Sequence, residues 1–397
     1  MLSSRVTKAR ARFAAAVSRR RPPAPSAPGQ AALLELARNG SAPLTSRPPA
    51  SEGPWRIAVV IPSFRRGSGG HQTIARLVGG LRQRGHSLSL WLDDNEGRHA
   101  GEREAETERR FREFFAADDI ELHVGRRSWT GADIVLATGW STVAPVLLLP
   151  DAGTRAYLVQ DHEPEFYGTS AESLWAQASY RQGLHCIAAS SWLAELLAER
   201  YGASASHFEL AVDHEVYRPA HRPRREDLVA FYARSVTPRR AVPLCLLALT
   251  ELARRRPDLE IALYGDVDDP GPPFTHRSLG VLDEQHLAEL YAQATVGMVL
   301  SLTNPSLIAL EMMACGLPCV ELASESMLAS FGRHGPLALA AADPLSICDA
   351  LEQLLDQPER RSAVARAGGE LIAGRTWARA AAQVEDGLRI ALSSASR

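Results

Sequence analysis

Four segments of the chain gather side chains with chemistry to offer. In Arg65-Arg-Gly-Ser-Gly-Gly-His-Gln72 the glycines let backbone N–H groups approach an anion or sugar hydroxyls. Gly67-x-Gly69 is followed by Gln72 where a dinucleotide fingerprint needs its third glycine, which argues against a nicotinamide dehydrogenase. Tight turns also need glycine, so this loop alone is a weak signal. Tyr157-Leu-Val-Gln160-Asp161-His162-Glu163-Pro-Glu165 leaves an apolar run and packs its ionisable side chains tightly together. Charges there are costly unless solvated or used, and a polar loop with a capping acid is the plainer alternative. Phe231-Tyr-Ala-Arg234-Ser-Val-Thr-Pro-Arg239-Arg240 offers guanidinium forks suited to phosphate oxygens, at a helix start where arginine opposes the dipole. A pyrophosphate leaving group gains charge as its bond to a sugar breaks, and one fixed donor there is worth roughly 3 kcal/mol.

The fourth segment runs from Ser301 to Pro318. Asn304 reads as an N-cap and Pro305 as the first helical residue, which places a helix N-terminus where phosphate could sit. Glu311 follows near two turns later among Ile308, Leu310, Met312 and Met313. A lone carboxylate in such company needs a partner, and a ribose diol could donate two hydrogen bonds to it.

These segments need a frame that brings them to one edge. Residues 56–62, 86–92, 121–124, 133–137, 156–160 and 185–189 read as strands, with helices between them at about 74–85, 102–117, 171–182 and 191–201. The alternation breaks near Tyr217-Arg-Pro-Ala-His-Arg-Pro223, which marks a domain boundary. A second series places strands at 228–233, 260–264, 278–282, 296–302 and 318–322 and helices at 241–256, 283–293, 305–315, 346–356, 359–373 and 376–393. Strands separated by helices predict two parallel, doubly wound sheets, whose ligands lie at the carboxyl ends of the strands. The expected division is 1–54 as a basic, Pro/Ala-rich disordered arm and linker, 55–218 and 219–375 as two Rossmann-like domains, and 376–397 as a helix crossing back to the first.

Composition agrees with this plan. The 397 residues, 45% hydrophobic and 23% charged, suit two α/β cores, and a net charge of -2 gives no global field for nucleic acid. Five cysteines lie scattered in apolar segments, as in a reducing compartment. Cys315 and Cys319 lack the spacing of a redox or metal pair and read as buried hydrophobes. No run approaches the ~18 apolar residues that span a bilayer. The arm, with Arg5, Lys8, Arg10, Arg12 and Arg19 to Arg21, reads as solvated or as resting on anionic lipid, and residues 31–37 could form a short helix.

Glu311-Met-Met-Ala-Cys-Gly-Leu-Pro318 resembles the E-A-M-A-x-G-x-P signature of glycosyltransferase family 4, which has the GT-B fold. Ala211-Val-Asp213 with Tyr217-Arg-Pro219 is similar to that family's G-V-D-x-x-x-F-x-P; Ser190-Ser-Trp-Leu193 and Gly69-Gly70 before Arg82-Gln-Arg-Gly-His86 resemble its N-terminal pattern. The Gln160-to-Pro164 loop and the Ala233-to-Arg240 segment look like the subgroup of rhamnosyltransferases that use dTDP-L-rhamnose. The resemblance implies a cytoplasmic, retaining hexosyltransferase, with a nucleotide-diphosphate-sugar as substrate, no cofactor and no metal. Its acceptor would be a hydroxyl of a growing surface glycan, free or lipid-linked. Carried onto this chain, it implies a donor site of Gly69, Gly70, Arg234, Arg239, Arg240, Thr303, Asn304, Pro305, Ser306, Leu307 and Glu311, with Glu311 on the ribose and the arginines on the diphosphate. His71, Gln160, Asp161, His162 and Glu163 would face the acceptor, and Asp161, Glu163, Arg234 and Arg239 would be catalytic. The family's usual Glu stands eight residues before Glu311, where this chain has Thr303, and Thr303 and Asn304 would replace it as neutral donors. A sugar-nucleotide epimerase of the same fold and a non-catalytic GT-B subunit are the competing readings.

Overall fold

The computed structural model describes residues 28–45, 49–50, 52–117, 120–219 and 223–395. Seven strands, β1 (Arg56–Pro62), β2 (Ser87–Asp93), β3 (Glu121–Val124), β4 (Ala132–Ala137), β5 (Ala152–Val159), β6 (His185–Ala188) and β7 (Ala205–His207), form one sheet in the order β3-β2-β1-β4-β5-β6-β7. Every pairing is parallel, with Val59 of β1 opposite Leu90 on one side and Leu136 on the other. β8 (Leu228–Tyr232), β9 (Glu260–Tyr264), β10 (Arg277–Ser278), β11 (Val296–Met298), β12 (Cys319–Leu322) and β13 (Ala338–Ala340) form the second, in the order β10-β9-β8-β11-β12-β13 and again all parallel. β1 and β8 are each apolar because helices cover both sheet faces. In both sheets the order reverses beside these first strands, at β1/β4 and β8/β11. Crevices open at such reversals.

The helix Trp377–Ala395 returns from the second domain to the first. A Cβ at Gly80 would lie 2.6 Å from that of Ala381, so the close approach of the two helices depends on glycine. Glu385 of the returning helix pairs with Arg84, and Thr154 Oγ1 donates to the Ala391 carbonyl at 3.4 Å.

Several elements differ from the expectation. A helix at Trp140–Leu147 carries Pro145 inside it, and its mixed Trp, Ser, Thr, Pro and Val content hides the period. β7, β13 and the helix Glu325–Phe331 are too short to signal in sequence. The strand expected at 278–282 contracts to β10, with Gly280 taking φ 65°. The described part of 28–54 is not a free linker. Pro28–Asn39 is a helix that buries Ala32, Leu44 bridges to Ala152, and the Trp55 indole donates to the Ala50 carbonyl. Apolar side chains spaced for one helical face suffice to dock it. The basic residues of the arm lie outside the described residues.

Candidate functional site

A cavity of about 720 Å³ lies between the two sheets, walled by the loops that follow β1, β4 and β5 on one side and β8 and β11 on the other. That is the volume range of small-molecule sites. Gly69, Gly70, His71, Gln160, Asp161, Glu163, Arg234, Arg239, Arg240, Pro305, Ser306, Leu307 and Glu311 all line it. Thr303, Asn304 and His162 do not.

The reason for each exception is a hydrogen bond made elsewhere. Asn304 uses its polar groups across the domain interface: its backbone N–H donates to Asp161 Oδ1 (3.0 Å), and its amide donates to the carbonyls of Gln160 (3.0 Å) and Ala189 (3.3 Å). Its Oδ1 accepts from Ser190 (2.9 Å). The helix cap expected at Asn304 is therefore Ser306, whose side chain accepts from the Ile308 N–H at 3.2 Å, and the helix is Leu307–Ala314. Thr303 is buried behind the cavity wall, with its carbonyl taken by Ser326 and its hydroxyl unpartnered. His162 is sealed between Tyr201, at 2.7 Å, and Glu165, at 3.0 Å. Thr303, Asn304 and His162 thus stand behind the cavity wall rather than on it.

His71 reaches the cavity wall, but both ring nitrogens are occupied. Ser68 lies 2.8 Å from Nδ1, and Nε2 lies 3.1 Å from the Pro62 carbonyl, so Nε2 carries the proton and Nδ1 accepts. Burial holds its pKa down at about 4. It braces the glycine loop as a neutral ring.

Cations from both domains converge along one stretch of the wall. Arg234 is nearly buried and donates to the Gly265 carbonyl at 3.3 Å and to no carboxylate among the described residues. Gly67 sits against it: its φ is 72°, and a Cβ there would meet Arg234 Nη1 at 2.9 Å. Arg65 comes from the same loop. Burial first, then the neighbouring Arg234, Arg98 and Arg239, push its guanidinium below the usual value. Arg240 donates to Ser301 at 2.6 Å and is likewise lowered, by burial and then by Arg239. Arg239 differs, because Asp161 of the other domain pairs with it at 3.1 Å and it lies 4.3 Å over the Phe166 ring. Like charges held this close imply an anion, since no carboxylate answers Arg234.

Further along, Glu311 is buried with Oε2 unpartnered. Desolvation, then the nearby Glu284, raise its pKa to about 8, while the Tyr217 hydroxyl bonds the carboxylate and opposes the rise. Tyr217 belongs to the Tyr-Arg-Pro segment between the domains. Arg76 of the first domain clasps Glu284 of the second at 3.0 Å and Asp213 at 3.0 Å, and Gln72 donates to Glu284 at 2.9 Å. This clasp and the Asp161–Arg239 pair close the two ends of the interface.

Glu163 faces the same cavity but is satisfied from within. Its Oε2 accepts the Trp140 backbone N–H at 2.6 Å, its Oε1 accepts the Tyr157 hydroxyl at 2.9 Å, and burial raises it to about 7. It caps the helix Trp140–Leu147 as much as it faces a ligand.

Arg65, Tyr217, Trp140, Phe166 and Tyr167 also line the site without having been singled out in the sequence. Arg65 stood in the glycine segment and Tyr217 in the interdomain motif, so both were within reach of the same signals. The aromatic residues gave none.

Residues 227–352 match the family described as WsaF, C-terminal domain, and residues 127–190 the one described as WsaF, N-terminal domain. The chain is 31% identical over 264 residues to the O-antigen biosynthesis protein RfbC of Myxococcus xanthus, covering 64% of this chain and 20% of that protein. It is 33% identical over 195 residues to the D-inositol 3-phosphate glycosyltransferase of Frankia alni, covering 44% and 47%. It thus spans a fifth and about half of these relatives. Among solved structures, sucrose-phosphate synthase from Thermosynechococcus elongatus superposes with TM-score 0.66 at 16% identity, over 85% of this chain and 99% of that one. HepE of Anabaena, in complex with UDP-glucose, gives 0.64 at 14%, over 86% and 100%. Paired parallel sheets with a cleft at their carboxyl edges, superposing on these structures over most of the chain, give this protein the GT-B fold.

Proposed function

We propose that the chain is a glycosyltransferase that holds a nucleoside-diphosphate-sugar between its domains and passes the sugar to a glycan hydroxyl. The observation that carries this reading is the unpartnered, buried Oε2 of Glu311 in the same cavity as the uncompensated Arg234. A ribose diol donating to Glu311 would satisfy the orphaned oxygen, and a diphosphate would answer Arg65, Arg234 and Arg240. The N-terminus of the helix Leu307–Ala314, at Pro305 and Ser306, lines the same space. The relatives named for O-antigen biosynthesis and glycosyl transfer, and a structural neighbour solved with UDP-glucose, support the same class.

The finer reading is a retaining hexosyltransferase of family 4, with L-rhamnose from dTDP-L-rhamnose as the donor. It rests on the resemblance of the 160–164 and 233–240 segments. The donor is the substrate and no further cofactor or metal enters the proposal. Glycan synthesis at the cytoplasmic face, with the basic arm against anionic lipid, completes it; no described helix is long and apolar enough to cross a membrane. In this reading Arg234 stabilises the departing diphosphate, while Asp161 positions Arg239.

A thermal-melt panel of dTDP, UDP, GDP and NAD tests the reading. A nucleotide at a hundred times its dissociation constant stabilises by about 2.7 kcal/mol. The account expects a shift with one pyrimidine diphosphate and none with NAD. A shift with NAD alone would overturn it, and epimer formation without any acceptor would favour the epimerase instead.

A further inference from the structure

We propose that Glu321, buried in β12 and outside the cavity, is a positioning residue that aims Arg240 at the diphosphate through the hydroxyl of Ser301. The inference rests on the donor reading above and adds to it a residue that no ligand touches.

β12 is buried at every position between β11 and β13, and its other residues, Cys319, Val320 and Leu322, are apolar. A carboxylate in such a strand is costly unless it is hydrogen-bonded and balanced by charge. Glu321 Oε1 accepts the Ser301 N–H at 2.6 Å and the Leu322 N–H at 3.0 Å, while Oε2 has no hydrogen-bond partner among the described residues. Those two donors would be met as well by a neutral amide. The charge is answered by Arg240, whose Nη1 donates to Ser301 Oγ at 2.6 Å. A hydroxyl that accepts from a guanidinium keeps its own proton for the carboxylate behind it. Burial pushes the Glu321 carboxyl up to about 7, and the Leu322 N–H, Arg240 and Ser301 all act to keep its charge.

From the other side, Arg240 lines the cavity and needs this support. It pairs directly with no carboxylate among the described residues, and Asp161, which also acts on it, is spent on Arg239. Its Nε and Nη2 make no hydrogen bond among the described residues. With Nη1 held by Ser301 the planar guanidinium is fixed, and those two groups are left for phosphate oxygens. The backbone agrees. Arg240 ends the tight turn Pro238–Arg240, and Ala241 takes φ 47° before the helix Val242–Arg255. A residue with a side chain keeps that left-handed conformation only where its surroundings fix it. The Leu302 N–H donates to the Arg239 carbonyl at 3.0 Å. Residues 301 and 302 therefore grip the turn twice, and Glu321 grips Ser301 from behind.

The test compares diphosphate with monophosphate, dTDP with dTMP and UDP with UMP, by calorimetric titration of the full chain. Glu321→Gln keeps an oxygen for the Ser301 and Leu322 N–H groups and removes the charge. Ser301→Ala keeps its N–H on Glu321 and removes the bridging hydroxyl, so it carries the same comparison should the first variant not fold. Each should weaken diphosphate binding about fivefold, the worth of one hydrogen bond, and leave monophosphate binding unchanged. The double variant should lose no more than the larger single loss, because both act on Arg240 along one path. Equal losses for both nucleotides, additive losses in the double variant, or undiminished diphosphate binding in the single variants would each overturn the inference while leaving the donor reading in place. A wild type that binds monophosphate as tightly as diphosphate would overturn the diphosphate reading, and this inference with it.

Discussion

Glu163 and Glu311 are two buried carboxylates facing one cavity from opposite domains, 6% and 7% exposed. Burial raises both, to about 7 and about 8. They differ in what answers them. The protein supplies partners to both oxygens of Glu163, from Trp140 and Tyr157, whereas Oε2 of Glu311 is left bare. A buried polar group that the fold satisfies is part of the fold; one left unsatisfied on a cavity wall calls for a partner, and a ligand can supply it. The arginines repeat the contrast. Arg239 is answered by Asp161 and Phe166, and Arg234 by a single carbonyl.

Each contrast gives an experiment able to break it. Arg234→Ala should lower turnover by about 10²–10³-fold, the cost of one preorganised donor at a developing charge. Steady-state kinetics showing only a KM effect would place its work in ground-state binding. Glu163→Ala should cost stability, about 2–4 kcal/mol, because it strands the Trp140 N–H and the Tyr157 hydroxyl in the interior. Urea unfolding measures that, and an unchanged midpoint would undo the claim that Glu163 serves the fold. Asp161→Asn should loosen the interface, with a cost of about 1 kcal/mol, because it keeps the shape while weakening the pair with Arg239. Faster proteolysis between the domains, with no change in nucleotide affinity, is the expected sign.

The smallest effect is a proton. Both carboxyls have folded pKa values above their ordinary value of 4.5, so the folded chain holds protons that the unfolded chain has released. Stability therefore falls as pH rises from about 4.5 through 7 and 8, and levels off above. A ribose donating to Glu311 favours its charged form, so nucleotide binding near pH 7.5 should release a fraction of a proton. Calorimetry in buffers of differing ionisation enthalpy detects it, and the release should vanish in Glu311→Gln but persist in Glu163→Gln.

The elements were largely legible because β1, β8 and β9 are short buried apolar runs, β2 alternates serine with leucine, and the helices between them are long and amphipathic. Glu311 was legible for a physical reason, a charge inside an apolar helix. What sequence could not show is which polar residue turns to which partner. Asn304 and Ser306 are equally good caps on paper; only the fold brings Gln160, Ala189 and Ser190 to Asn304 and leaves the cap to Ser306. The Asp161–Arg239 pair was silent because the two residues lie so far apart along the chain. The Trp140–Tyr167 pair was silent because Trp140 opens a short helix broken in pattern by Pro145 and Tyr167 stands in a loop, so neither carries a period.

The most direct test of the central claim is a calorimetric titration of the favoured nucleoside diphosphate into wild type, Glu311→Gln and Glu163→Gln side by side. Glu311→Gln should lose about 1.5–3 kcal/mol of affinity, the worth of hydrogen bonds to a charged group, while Glu163→Gln should bind like wild type. Equal losses in both, or none in Glu311→Gln, would contradict it.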